Sequence, residues 1–285
     1  FIDGQLVNSM DISGVITYSY LNSLLFGVDA GFTTEPEDKG YFNGRLDDIR
    51  IYNYGLSDSE VLEIYNKEVH PDYSVTDFDG NTYKAVKIGD QVWMAENLKT
   101  TKYTDGTPIT LYSFDEFGIN WGNLNEEVGY YQWASTEDLN NVIDEELPLD
   151  YYGAMYNHFA LISGKLAPKG WRIPTAEDFK VLEAFLASEG HSGNEATVLK
   201  SETGWLPSSG TGTNLYGFNG LPNGYVSAGG TSTLGQGICT WSTSTLIADN
   251  FGIQTRIMIS LYDKSTIIYD ENVLQIGSAI RCIKD

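Results

Sequence analysis

Hydrophobic and polar positions follow different rhythms along this chain. In the first 67 residues, short apolar runs alternate with turn residues. Phe1-Ile2 and Leu6-Val7 flank Asp3-Gly4, and residues 24–28 (LLFGV) form a second run. Residues 41–53 (YFNGRLDDIRIYN) alternate, with Leu46, Asp48, Arg50 and Tyr52 on one side and Asp47, Ile49 and Ile51 on the other. Period-two alternation around an Asp-Gly bend predicts strands and a hairpin. The rhythm changes at Ser57. Ser57 and Glu60 have capping-box spacing: the serine oxygen accepts from the glutamate amide and the carboxylate reaches back. Val61, Leu62, Ile64 and Tyr65 then supply the apolar face of a helix.

Residues 68–74 (EVHPDYS) are polar, aperiodic and interrupted by Pro71, which predicts a linker. Beyond it, residues 83–88 and 91–95 read as paired strands around Gly89-Asp90, with an earlier bend at Asp79-Gly80-Asn81. One helix is predicted over 153–162 and another over 176–188. Thr175 can cap the second with Asp178, while Phe179, Leu182 and Leu186 recur at helical spacing. After about residue 200, Gly, Ser, Thr and Asn dominate a loop region that leads to strands at 237–243, 255–262 and 274–283. Residues 113–150 form a long acidic stretch containing Trp121, Tyr130, Tyr131 and Trp133. An irregular segment that long carries function or has no fixed structure. The pattern as a whole is α+β.

Charge narrows the partners. Seventeen Lys and Arg stand against 39 Asp and Glu, for a net charge of −22. Such a surface repels phosphate backbones and anionic lipid headgroups, so nucleic acid and bare membrane are poor partners. No apolar run reaches the roughly 20 residues of a membrane span, so direct membrane insertion by this chain is not expected. The two cysteines, Cys239 and Cys282, exclude a disulfide-dense scaffold and leave two outcomes, one bridge or two inert thiols. The opening Phe1-Ile2-Asp3-Gly4 reads as mid-strand and turn, which predicts further chain upstream.

Two family resemblances follow. FIDGQLV and then YFNGRLDDIRIYNYGLSDSEVLEIY resemble the closing part of a laminin-G-like, concanavalin-type jelly roll. This implies that residues 1–67 are the C-terminal part of a β-sandwich, in which Asp47 is the family-like acid, a turn brace or a weak candidate cation ligand. In residues 75–285, the blocks TDFDGNTYKAVKIGDQVWMAENLKTTKYTDGTPI, YYGAMYNHFA, KLAPKGWRIPTAEDF, GFNGLPNGYVSAGG, WSTST and AIRCIKD occur in order. They resemble the Fibrobacter succinogenes major paralogous domain, which is similar in fold to C-type lectins and formylglycine-generating enzymes. That resemblance implies a compact α+β domain with two helices, twisted antiparallel sheets and a long loop region. It also implies export in Bacteroidetes-like bacteria, often as a lipoprotein or adhesin-like protein, to the extracellular or outer-membrane surface.

Catalytic signals are weak. The formylglycine-generating relatives hold copper with two thiolates a few residues apart, and Cys239 and Cys282 are far apart in sequence. His70, His158 and His191 belong to no nucleophile motif, and His158 reads as a packed polar residue. Adjacent acids such as Glu126-Glu127 and Glu137-Asp138 read as a solvated face. The calcium motifs of C-type lectins are broken: LPNG keeps Pro222 and Asn223 but has Leu221 where an acid would stand, and Trp241 is followed by Ser242. No cofactor is expected, with calcium left open as an ion for the acidic surface.

Binding is the remaining reading. Sugar sites combine an aromatic platform with amide and carboxylate hydrogen-bonding groups. In the loop region 203–236 the candidates are Trp205, Asn214, Tyr216, Asn219, Asn223 and Tyr225; the acidic insertion adds Trp121, Tyr130, Tyr131 and Trp133. Trp93, Trp171 and Trp241 lie inside the family blocks and are expected in the core. The sequence therefore predicts a non-enzymatic secreted or cell-surface module that recognises glycan or an extracellular protein. The alternatives are a structural spacer or assembly subunit, and a glycan-processing accessory with unrecognised catalytic residues.

Overall fold

A computed structural model describes residues 55–57, 60, 73–124, 127–134, 148, 150–233, 237–248, 252–262 and 265–285. The chain divides into two compact units, Phe1–Pro71 and Asp72–Asp285. In the first, the expected strands, Asp47 and the helix beyond Glu60 lie outside the described residues. The capping box itself is formed: Glu60 N donates to Ser57 Oγ at 3.3 Å, and Ser57 N donates to the Glu60 carboxylate at 2.7 Å.

The second unit is a mixed, mostly β-sheet domain. Five antiparallel strands form its largest sheet in the order β1 (Tyr73–Thr76), β2 (Thr82–Ile88), β3 (Gln91–Met94), β13 (Ile283–Lys284), β7 (Trp171–Arg172). Strand β1 thus begins at Tyr73, inside the stretch read as a linker. The β2–β3 hairpin matches its sequence signal, with Gly89 at positive φ in a two-residue turn. Two three-stranded sheets accompany it. One joins β4 (Thr110–Leu111), β5 (Tyr130–Trp133) and β6 (Ala154–Tyr156); the other joins β10 (Cys239–Ala248), β11 (Gln254–Leu261) and β12 (Ile268–Val273). The short strands β8 (Tyr225–Val226) and β9 (Ser232–Thr233) pair separately.

Residues 274–283 were expected to form one strand. Instead the paired strand is β12, and the following segment stitches sheets together. Gly277 bridges to Val226, Ser278 to Tyr156 and Ala279 to Trp241, before Ile283 pairs with both Trp93 and Arg172. A segment that changes partner at almost every residue cannot keep one ladder.

The described residues of the second unit include four α-helices rather than the two expected there: α1 (Phe114–Phe117), α2 (His158–Ile162), α3 (Ala176–Leu186) and α4 (Glu195–Leu199). The predicted helix over 153–162 is split into β6 and α2. Gly153 has φ +82, and a Cβ there would lie 2.6 Å from the Asn97 Cβ, so the chain turns tightly. Asn157 then caps α2, its side chain accepting from Ala160 N at 3.0 Å. Helix α3 begins as predicted, with the full Thr175–Asp178 capping box, and its Phe179, Leu182 and Leu186 are buried. It ends at Leu186, where the backbone widens into a π turn containing Gly190 at φ +91.

Alternation along the strands feeds two cores. Tyr83, Ala85, Met94 and Cys282 face one cluster; Ile88, Trp93 and Ile283 face the other. The second is built on four rings. Trp93 packs on Phe179 at 4.8 Å and on Phe218 at 5.7 Å, while Phe218 and Phe179 pack on Trp241 at 5.5 and 6.2 Å. Burying each such ring contributes about 2–3 kcal/mol. Trp93, Trp171 and Trp241 are all core, as expected.

Into this aromatic cluster the chain inserts a cation. The Arg281 guanidinium is fully buried, 5.0 Å from the Phe218 centroid and 5.3 Å from that of Trp241. Its Nε and Nη2 donate to Asn97 Oδ1 at 3.0 and 2.7 Å, and Nη1 donates to the carbonyls of Met94 and Phe218. Nη2 also donates to the Asn219 carbonyl at 3.3 Å. Burial pulls Arg281 down to about 10, which leaves it charged at neutral pH.

Two measurements test these local interactions. Thr175→Ala is expected to cost about 1 kcal/mol in urea unfolding, through loss of the α3 cap. The Asp178 carboxylate is raised by burial, but hydrogen bonds from Arg172 (2.6 and 2.8 Å) and Thr175 outweigh this and hold it at about 2. A depressed carboxylate stabilises fully above its unfolded value near 4, and that contribution disappears as pH falls through about 2. Asp178→Asn is therefore expected to flatten the fall in stability between about pH 4 and 2, measured by denaturation at each pH.

Candidate functional site

A cleft of about 530 Å³ opens on the second unit, lined by parts of the chain distant in sequence. Strand β2 gives Lys84, and the turn after β3 gives Glu96, Asn97 and Lys99. Pro148, Asp150 and Tyr151 form another wall; Asn214, Gly217, Asn219 and Leu221 come from the loop region. The loop wall is held by unusual backbone. Asn214 and Asn219 have φ of +46° and +54°, in the left-handed region that asparagine tolerates better than most residues. Asn214 Oδ1 accepts from Asn219 N at 2.7 Å, and Gly217 between them has φ +70. Backbone bonds anchor the loop as well: Asn214 N donates to the Lys200 carbonyl at 3.0 Å and Leu215 N to the Val198 carbonyl at 3.1 Å.

The floor of the cleft is Asn97, and Arg281 explains its orientation. Asn97 Oδ1 accepts from Arg281 and from Trp241 Nε1 (2.8 Å), while Nδ2 donates to the Tyr152 carbonyl at 2.9 Å. Above the floor, Lys99 and Asp150 form an ion pair at 2.6 Å, both partly exposed. Glu96 accepts from Lys84 N at 3.2 Å. The cleft therefore offers ammonium, carboxylate and amide groups beside one tyrosine ring. It can hydrogen-bond a ligand that both donates and accepts.

Of the ten sequence-predicted ligand residues, Asn214 and Asn219 line this cleft. Five others are core. Trp121, Tyr130, Tyr131, Trp205 and Asn223 are each 7% exposed or less, and none of them lines this cleft. The reasons are local. Tyr130 and Tyr131 lie in β5 between two strands, and Trp121 packs edge-on against Tyr112 at 5.2 Å. Trp205 donates to Ser201 Oγ at 3.1 Å and lies 4.5 Å beneath the buried Lys200 ammonium, whose Nζ also donates to the carbonyls of Ser209 and Tyr262. Asn223 is a brace: Nδ2 donates to the carbonyls of Gly224 and Thr240, and Oδ1 accepts from the Cys239 thiol. Trp133, Tyr216 and Tyr225 are partly buried and lie outside the cleft lining. Tyr216 packs on Phe185 and His191, and Trp133 packs on Tyr131.

Cys239 and Cys282 are free and buried, which resolves the open alternative against a bridge. Burial pushes both thiols up, Cys282 to about 12, so neither is a thiolate at neutral pH. Among the described residues, no group of three or more His, Cys, Asp and Glu is placed to hold a metal ion.

Sequence reasoning missed Lys84, Glu96, Asn97, Lys99, Asp150 and Tyr151. One local signal existed: Glu96 and Asn97 are polar residues directly after the apolar strand VWMA.

The model of the Fibrobacter succinogenes major domain family matches residues 86–284, well over half of the chain, and the chain belongs to that family. Searches among curated proteins and among solved structures find no match. All of the cleft residues except Lys84 fall within the matched region.

The left-handed backbone at Asn214 gives a direct test. Asn214→Val is expected to destabilise the protein by about 1–2 kcal/mol more than Asn214→Gly, because only glycine relaxes the positive φ. Urea unfolding of the two variants measures the difference.

Proposed function

We propose that this member of the Fibrobacter succinogenes major domain family is a non-enzymatic recognition module of a secreted or cell-surface protein, and that its cleft binds glycan. On this reading the domain is C-type-lectin-like, its ligand meets the long loop region, and the preceding unit is the end of a laminin-G-like sandwich. The observation that carries the reading is the convergence of Tyr151, Asn214, Asn219, Glu96, Lys84 and the Lys99–Asp150 pair on one cleft. Sugar hydroxyls donate and accept at once, which suits a wall that alternates amides, carboxylates and ammonium groups. An aromatic ring beside such groups is a common way to fix a sugar face. Leu221 lines the same cleft at the position where lectins place a calcium-binding acid, so the proposed binding is independent of calcium.

The test is a glycan array of the intact protein, run with calcium and again with EDTA. The reading expects a defined set of glycans bound equally under both conditions. Tyr151→Ala is expected to weaken that binding at least tenfold, about 1.4 kcal/mol, while Tyr225→Ala, outside the cleft, leaves it unchanged. Absence of glycan binding under both conditions, or binding unaffected by Tyr151→Ala, overturns it.

A further inference from the structure

A second cavity, of about 340 Å³, shares no residue with the cleft. Its wall is mostly apolar: Trp121, Leu124, Phe159 and Leu274 supply carbon surface, with Gln275 exposed at the rim. Asn157 also lines it, with its side-chain oxygen and one of its two amide N–H groups already bonded to the backbone. Its Oδ1 accepts from Tyr130 N and Ala160 N, and its Nδ2 donates to the Val128 carbonyl. The other polar side chain of the inner wall is His158. Among the described residues, no Asp or Glu lines this cavity, in a chain that carries 39 of them.

His158 is fixed from behind. Arg256 on β11 is 4% exposed, and its Nη2 lies 2.9 Å from His158 Nδ1. A guanidinium has donors only, so Nδ1 must accept, and the proton of the neutral ring belongs to Nε2. Burial, and then the Arg256 charge, lower the His158 pKa, so the ring is neutral at pH 7. Nδ1 is committed to Arg256, behind the wall. Nε2–H, on the other edge of the ring, has no partner among the described residues. Burial lowers Arg256 to about 10, which keeps it charged. Its other acceptor is the Thr243 carbonyl, and among the described residues no carboxylate pairs with it. Among the described residues, then, no acid offsets this buried positive charge, which lies one imidazole ring behind the cavity wall.

We propose that this cavity is a second ligand site, which takes a small carboxylate bearing a flat or cyclic apolar group. The carboxylate accepts from His158 Nε2–H, placing its charge within reach of the Arg256 field in a partly desolvated setting. The apolar body lies against Trp121, Phe159 and Leu274. A volume near 340 Å³ suits a ligand of about one ring plus its acid group. This site is independent of the glycan reading of the cleft.

Phenylacetate and its uncharged counterpart phenylacetamide serve as probes, titrated into the ¹⁵N-labelled intact chain. The Trp121 indole N–H reports occupancy, and the dispersion of the same spectrum reports folding. Phenylacetate is expected to give a saturable shift at Trp121, with at least tenfold tighter binding than phenylacetamide. His158→Phe removes the donor and is expected to abolish that preference. Gln275→Glu adds a rim carboxylate at an exposed position and is expected to weaken phenylacetate alone. Tyr151→Ala, in the cleft, is expected to change neither. The absence of a saturable shift with either probe, equal affinity for both, or a preference that survives both His158→Phe and Gln275→Glu overturns the proposal.

Discussion

A guanidinium with no access to water must have its N–H groups satisfied, and the second unit is arranged around meeting that demand for Arg281. Its acceptors are Asn97 Oδ1 and the carbonyls of Met94, Phe218 and Asn219, with Phe218 and Trp241 presenting ring faces. These groups belong to the end of β3, the turn after it, the loop region and β10. A buried cation left without such acceptors costs several kcal/mol, so each of these segments is held to the others by the same ion. Asn97 extends the constraint further: Trp241 donates to it, and it donates to the Tyr152 carbonyl just before β6. Close approach at Gly153, where a side chain would collide with Asn97, belongs to the same arrangement.

The cleft inherits its shape from this centre. Asn97 is its floor, and the backbone carbonyl of Asn219 is tied to Arg281 while the Asn219 amide binds Asn214. The groups above the floor are thus carried on segments that cannot shift independently, the preorganisation that the proposed glycan binding calls for. The same device recurs in the loop-rich half of the domain. Lys200 holds the Ser209 and Tyr262 carbonyls, and Arg256 holds the Thr243 carbonyl and His158. A chain with net charge −22 thus keeps three of its few cations inside, where carbonyls satisfy them and order segments with little regular ladder.

Where local chemistry decided the structure, it was legible. Thr175 and Asp178 define the start of α3, Gly89 the β2–β3 turn, and the ordered family blocks the domain itself. Where distant contacts decided it, local pattern misled. Ala154, Met155 and Tyr156 form an unbroken apolar run that serves a helix or a buried strand equally well, and pairing with β5 selects the strand. Polar IYDENV lies outside the predicted strands but pairs as β12 against β11, with Glu271 and Val273 left exposed. Trp121, Tyr130 and Tyr131 sit among acids in sequence, and their burial comes from strands β4 and β6 and from Tyr112. Arg281 and Arg256 carry no sequence mark of burial at all. The cleft was visible only at Asn214 and Asn219, because its other walls come from β2, the turn after β3 and residues 148–151.

A double-mutant cycle on Asn97→Ala and Arg281→Met, read by urea unfolding, addresses the organising role of the buried ion most directly. If the two side chains act as one unit, the losses are non-additive, with a coupling energy of about 1–3 kcal/mol. Losses that add to within about 0.5 kcal/mol would mean that Arg281 and Asn97 stabilise the domain separately, and the account of a single ion holding these segments together would be wrong.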